Sequence, residues 1–205
     1  MTRRPGVYLV LDPDACRGAD PVSVARAALR GGAARLQLRS KRLGDGAQLQ
    51  LAQALAGLCR DTGVPFVVND RPDLALLVKA DEIHVGQDDL PLGAVRSLVG
   101  TMSIGRSTHD LAQVERARLE GADRIAFGPV FPTSSKDLPD PVVGLEQLAR
   151  AITVARRPVI AIGGIDAPRC AALRGLGLAE VAVISAICAA EDPERATRAL
   201  VEALA

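Results

Sequence analysis

Short apolar runs rich in β-branched residues alternate along the chain with amphipathic Ala/Leu/Arg stretches, and polar turns separate them. The runs predict strands near 7–11 (VYLVL), 34–38 (ARLQL), 65–69 (PFVVN), 82–85 (EIHV), 102–105 (MSIG), 123–127 (DRIAF), 158–162 (PVIAI) and 180–184 (EVAVI). The stretches between and after them predict helices near 20–30, 45–62, 71–78, 91–99, 110–120, 144–155, 167–174 and 193–204. Asp20-Pro21 and Asp166-Ala167-Pro168 supply helix starts with an early proline, and Gly31-Gly32 and Gly63 stand where helices should stop. Eight β/α units predict an α/β fold, a single-domain (β/α)8 TIM barrel over residues 1–205. A doubly wound open sheet is the alternative, and it would require the runs at 82–85 or 102–105 not to be strands.

The polar clusters fall where these strands end. QLRSK (37–41) closes the second, ND (69–70) the third, HVGQDD (84–89) the fourth and GRSTH (105–109) the fifth. FGPVFPTSSK (127–136) follows the sixth, GGI (163–165) the seventh and ISAI (184–187) the eighth. The C-terminal strand ends of such a barrel carry its active site, so the clusters converge on one mouth.

Within the first cluster, period-two alternation puts Gln37, Arg39 and Lys41 on one side. An amide, a guanidinium fork and an ammonium along one wall suit a phosphate or pyrophosphate. Asp70 and Asp89 follow neighbouring strands and are the metal candidates, in the pattern magnesium favours of one or two carboxylates plus substrate oxygens. The competing reading makes Asp70 the N-cap of a helix beginning at Arg71-Pro72. The loop with Lys136 reads as a lid, either merely flexible or one whose lysine meets a phosphate on closing. Gly163 and Gly164 permit close backbone approach near the seventh strand. His84 reads equally as a hydrogen-bonded wall residue and as a catalyst.

Composition narrows the function classes. The net charge is +1, from 25 basic and 24 acidic residues without blocks, which leaves no electrostatic footprint for nucleic acid or an anionic membrane. No apolar run is long enough to span a bilayer, and the N-terminal apolar part is too short for a signal segment, so a cytoplasmic protein is expected. Lys41, Lys79 and Lys136 are the three lysines among those basic residues, hence candidates for positions that need a point-charge ammonium. Cys16, Cys59, Cys170 and Cys188 are too dispersed for a CxxC, and with two histidines a zinc site is not expected.

In order along the chain, YLVLD, QLRSK, VVNDRPDLAL, IHVGQDDLP, IGRSTHDL, GADRIAFGPVFPTSSK, PVIAIGGI and VAVISAI resemble the thiamine-phosphate synthase family. The resemblance implies a transferase that condenses 4-amino-2-methyl-5-(diphosphooxymethyl)pyrimidine with a thiazole phosphate, releasing pyrophosphate with Mg2+ as cofactor. It implies that the pyrimidine pyrophosphate meets the run Gln37, Leu38, Arg39, Ser40 and Lys41 together with Asn69, Ser107 and Lys136. Of these, Arg39, Lys41, Ser107 and Lys136 would be catalytic. It also implies magnesium at Asp70 and Asp89, and the thiazole phosphate at Thr133, Ser134, Ser135, Gly164, Ile184 and Ser185. Small-molecule partners are implied, without nucleic acid or membrane, and a homo-oligomer is left open. Ser135 stands where the family usually has threonine, and Asp137 where it often has a second lysine. Two alternatives stay open: an isomerase similar to the related thiazole tautomerase, which the IGRS motif with Arg106 also resembles, and a non-catalytic barrel that binds thiamine phosphate.

Overall fold

A computed structural model describes residues 4–133 and 140–205. Its strands are β1 (Gly6–Leu11), β2 (Arg35–Leu38), β3 (Phe66–Asn69), β4 (Glu82–Val85), β5 (Ser103–Thr108), β6 (Arg124–Phe127), β7 (Val159–Ala161) and β8 (Glu180–Val183). Each pairs in parallel with the next, and β8 returns to β1 to close the barrel. The helices are α1 (Pro21–Arg30), α2 (Asp45–Thr62), α3 (Pro72–Val78), α4 (Leu92–Val99), α5 (Leu111–Leu119), α6 (Gly144–Ala155), α7 (Ala167–Cys170), α8 (Ser185–Cys188) and α9 (Pro193–Ala203). The expected helix starts hold. Asp20 accepts the Ser23 N–H at 2.9 Å and Asp166 the Arg169 N–H at 3.0 Å, each beside a proline whose missing donor is harmless there.

Parallel strands covered on both faces sort their side chains by period two. Leu9, Leu36, Val68, Ile83, Ile104 and Ile125 belong to the large outer core under the helices. Tyr8, Val67, Ala126, Ile160 and Ala182 form a second cluster inside the barrel. Full burial of each such aliphatic side chain contributes roughly 1.5–3 kcal/mol.

Beneath that inner cluster lies a layer of charge. Arg35, Glu82, Arg124 and Glu180 open the four even-numbered strands, and they close a cycle of ion pairs. Arg35 Nε is 3.0 Å from Glu180, Arg35 Nη1 3.2 Å from Glu82 and Arg124 Nε 3.6 Å from Glu82, while Arg124 Nη2 bonds Glu180. Alternate strands filling one layer is the packing rule of this barrel, but here the layer is ionic. Two guanidiniums against two carboxylates leave no net charge in the barrel floor.

The structure differs from the sequence expectation at a few ends. β5 runs on to Thr108 because its polar residues are accommodated: Ser107 faces the mouth, while Thr108 is buried and donates to the Ala126 carbonyl at 2.8 Å. The expected helix at 167–174 is α7 followed by a 3-10 turn at Ala171–Leu173. Two short elements were not expected, a 3-10 turn at Pro13–Cys16 and α8.

Candidate active site

A cavity of about 670 Å³ opens at the C-terminal ends of the strands. Its floor is the barrel interior, with Tyr8, Gln37, His84, Ala126, Ile160 and Ala182, and its walls are the loops that follow the strands. Gln37, Arg39, Lys41, Asn69, Asp70, Asp89, Ser107, Thr133, Gly164, Ile184 and Ser185 all line it. Leu38 and Ser40 do not: Leu38 points the other way into the outer core, as alternation demands, and the Ser40 hydroxyl is buried. Ser134, Ser135 and Lys136 lie outside the described residues.

One wall is built by β2, β3 and β4. Gln37 Nε2 donates to the Tyr8 hydroxyl at 2.7 Å, and Arg39 is held by Asp12 at the end of β1. Lys41 Nζ lies 2.8 Å from Asp70 Oδ2. Asp70 is not a helix cap: Arg71 occupies the cap position of α3 without a side-chain bond. Instead Asp70 sits at the centre of a three-residue turn, with φ of 63° and the Arg71 N–H returning to the Asn69 carbonyl at 2.8 Å. The Asp70 N–H is anchored to the His84 carbonyl at 2.8 Å, which ties this turn to β4. A non-glycine residue in the left-handed region costs of order 1–3 kcal/mol, a strain typical of functional turns.

That strained turn aims Asp70 at Asp89. The two carboxyls interact directly, and their acidities are pushed in opposite directions. Burial, then the bond to Asp89, pushes Asp70 up against the pull of Lys41. Burial also opposes ionisation of Asp89, but the bond from Asp70 and the Gly86 N–H at 2.7 Å hold it below the usual range. Ionising one carboxyl therefore opposes ionising the other. Two interacting carboxylates ionise together more readily when a cation neutralises them.

A different pair stands in the adjoining wall. His84 Nε2 lies 2.9 Å from Ser107 Oγ, the reach of a nucleophile and its base, which the sequence reading did not bring together. Burial, then the Arg106 charge, depresses His84 to about 4. Such an imidazole is neutral near pH 7 and a weak base, so Ser107 retains its proton.

Across the cavity, Gly163 and Gly164 have φ of 91° and 65°. A Cβ on Gly164 would lie 2.3 Å from the Pro132 carbonyl oxygen, and one on Gly163 would lie 2.4 Å from Pro129 Cβ. The backbone that approaches these glycines most closely is thus the β6–α6 loop itself, bound through Val130 N–H to the Ile162 carbonyl at 2.8 Å. His109 closes the same side, its Nδ1 2.6 Å from the Gly128 carbonyl oxygen.

Residues 7–187 match the family described as thiamine monophosphate synthase. The chain belongs to this enzyme family. It is 47% identical over 198 residues to the thiamine-phosphate synthase of Synechococcus sp. (strain WH7803), covering 96% of this chain but 56% of that protein. Against the thiamine-phosphate synthase of Laribacter hongkongensis (strain HLHK9) it is 46% identical over 196 residues, 95% of this chain and 92% of that one. The solved thiamine phosphate pyrophosphorylase from Pyrococcus furiosus superposes with a TM-score of 0.89 at 33% identity, covering 98% of this chain and 96% of that one.

Three lining or supporting residues of this family member escaped the sequence reading. Asp12 carried the same signal as Asn69-Asp70, a carboxylate directly after an apolar strand. Tyr8, inside an apolar run, gave no signal beyond its own hydroxyl. Gln87, which donates to the Ser107 carbonyl, was visible only as part of HVGQDD. No helix among the described residues is long and apolar enough to cross a membrane.

Proposed function

We propose that this chain joins the methylene carbon of 4-amino-2-methyl-5-(diphosphooxymethyl)pyrimidine to the ring nitrogen of a thiazole phosphate, forming thiamine phosphate and releasing pyrophosphate. The observation that carries the reading is the convergence of Arg39, Lys41 and the Asp70–Asp89 pair on one wall of a single cavity, opposite Gly164, Ile184 and Ser185. Family membership supports the same reaction.

The donor set of Asp70 and Asp89 is oxygen only, with two carboxyls that oppose each other's ionisation, so it fits magnesium rather than a thiolate- or imidazole-seeking metal. When bound there, the ion would neutralise charge on the pyrophosphate. Lys41 and Arg39 add fixed positive charge where negative charge grows as the C–O bond breaks, the condition under which electrostatic stabilisation is most effective. Lys136, outside the described residues, is the further cation we assign to that phosphate, with Ser134 and Ser135 beside Thr133 on the thiazole phosphate. The thiazole nitrogen is neutral and needs no deprotonation before it attacks. His84 is too weak a base to make Ser107 a nucleophile, which favours departure of pyrophosphate ahead of capture over a covalent Ser107 intermediate. The four described cysteines are all buried and unpaired, in keeping with a reducing, cytoplasmic compartment.

Mixing the purified protein with both phosphates should yield thiamine phosphate and pyrophosphate in equal amounts, dependent on added magnesium and abolished by chelation. An electron-withdrawing substituent on the pyrimidine should slow single-turnover formation by orders of magnitude. No product at saturating magnesium would return the choice to an isomerase or a non-catalytic binder, and an insensitive rate would exclude early loss of pyrophosphate.

A further inference from the structure

Gly105 in β5 lets two polar atoms pack closely against its backbone inside the barrel. A Cβ built there would lie 2.4 Å from His84 Nδ1 and 2.8 Å from Glu82 Oε1. Both atoms are buried and have no hydrogen-bond partner among the described residues. Buried polar atoms without partners are rare, and two of them packed against one glycine are naturally satisfied by each other, through a small turn of either side chain.

The chemistry of Glu82 sets the direction of that link. Its other oxygen accepts from Arg35 and from Ser103 Oγ at 3.2 and 3.3 Å. Burial pushes the carboxyl up and the two arginines pull it down. Neutralising it would leave two buried guanidiniums facing Glu180 alone, an uncompensated charge that is far costlier than an ionised Glu82. A carboxylate only accepts hydrogen bonds, so the proton in the link belongs to His84 Nδ1. A neutral imidazole then has a bare Nε2, and the 2.9 Å contact with Ser107 has one possible sense: Ser107 donates.

We propose that Glu82 and His84 are positioning residues that commit the Ser107 proton inward, so that Ser107 Oγ presents only lone pairs to the cavity and recognises an N–H donor on the substrate. Resting on the proposed reaction, that donor is the exocyclic amine of the aminopyrimidine. Ser107 would then select the ring, while Arg39 and Lys41 hold the pyrophosphate.

The tautomer is readable directly. Nitrogen NMR of the ligand-free, histidine-labelled protein has two imidazoles to resolve, His84 and His109, and the spectrum of His84→Gln assigns them. His84 should show a protonated Nδ1 and a bare Nε2 near neutral pH. The opposite tautomer would overturn the proposal whether or not the protein makes thiamine phosphate. Gly105→Ala would drive its Cβ against both atoms and should change the His84 signals; unchanged signals would exclude the link to Glu82. In turnover, the wild type should favour the aminopyrimidine over an analogue with hydrogen in place of the amine by about 10- to 100-fold in kcat/KM, the value of one buried partner lost. Ser107→Ala should abolish most of that preference. If Ser107→Ala preserved it, the predicted tautomer would stand but Ser107 would not be the group that reads the amine.

Discussion

At the residue scale, Asp70 concentrates the tension between stability and chemistry. Its left-handed backbone and its buried carboxyl opposed by Asp89 both work against the folded state, and neither is needed to build the barrel. Asp70→Asn and Asp89→Asn should leave the circular dichroism spectrum unchanged and lower kcat/KM at limiting magnesium by at least about 100-fold, because each removes a charged metal ligand. Asp70→Gly should lose the same activity while raising the unfolding free energy by about 1 kcal/mol, since glycine adopts φ of 63° without strain. Near wild-type turnover in both asparagine variants would remove the metal from these two carboxyls. The sequence made this residue a choice between helix cap and metal ligand. A cap requires the extended backbone that leads into a helix, and the turn at Asn69–Arg71 does not supply it.

At the scale of elements, the contact between the β6–α6 loop and the turn after β7 shapes the second wall. Gly164 and Gly18 both have positive φ, 65° and 87°, but a Cβ on Gly164 meets the Pro132 carbonyl oxygen at 2.3 Å whereas one on Gly18 meets nothing within 4 Å. Alanine at Gly18 should therefore cost only the backbone strain, about 1 kcal/mol in urea unfolding. Alanine at Gly164 should cost more than that and lower kcat/KM at least about 10-fold as the loop is pushed away. Equal costs at the two sites would mean the loop yields freely. The strand period was sufficient to foresee that Gln37, Arg39 and Lys41 share the cavity, whereas Leu38, which the family resemblance placed with them, faces the outer core. It could not foresee that β5 continues to Thr108, because GRST reads as a polar turn until a neighbouring carbonyl and a cavity are there to receive its hydroxyls.

For the whole molecule, the ionic ring of Arg35, Glu82, Arg124 and Glu180 replaces the apolar side chains that usually fill one barrel layer. Breaking one member should be far worse than never having had it. Glu180→Leu leaves two guanidiniums against Glu82 alone and should destabilise the protein by about 3–5 kcal/mol in urea unfolding, whereas replacing all four with well-packed apolar residues should be neutral or stabilising. A loss below 1 kcal/mol for the single variant would show that water reaches the ring. The single variant should also disturb the cavity, since Glu82 belongs both to this ring and to the link with His84. Each even-numbered strand opens on one of these charges, a regularity present in the sequence. Their meaning was not legible there, because a charge at a strand start reads as a turn residue unless the barrel has closed around it.

Local rules, then, determined the barrel, its strand faces and the mouth to which the polar clusters go, because alternation, capping and turn chemistry act over a few neighbouring residues. Only the tertiary structure decided which distant residues complete one another. Asp70 and Asp89, His84 and Ser107, and Glu82 and Gly105 each lie on different strands or strand-end loops. What joins them is parallel registration around a closed barrel, which sets side chains from β3, β4 and β5 at the same height. Sequence spacing carries no record of that height, since loops and helices of unequal length intervene. The proton on Ser107, the strain at Asp70 and the charge balance of the barrel floor all follow from it.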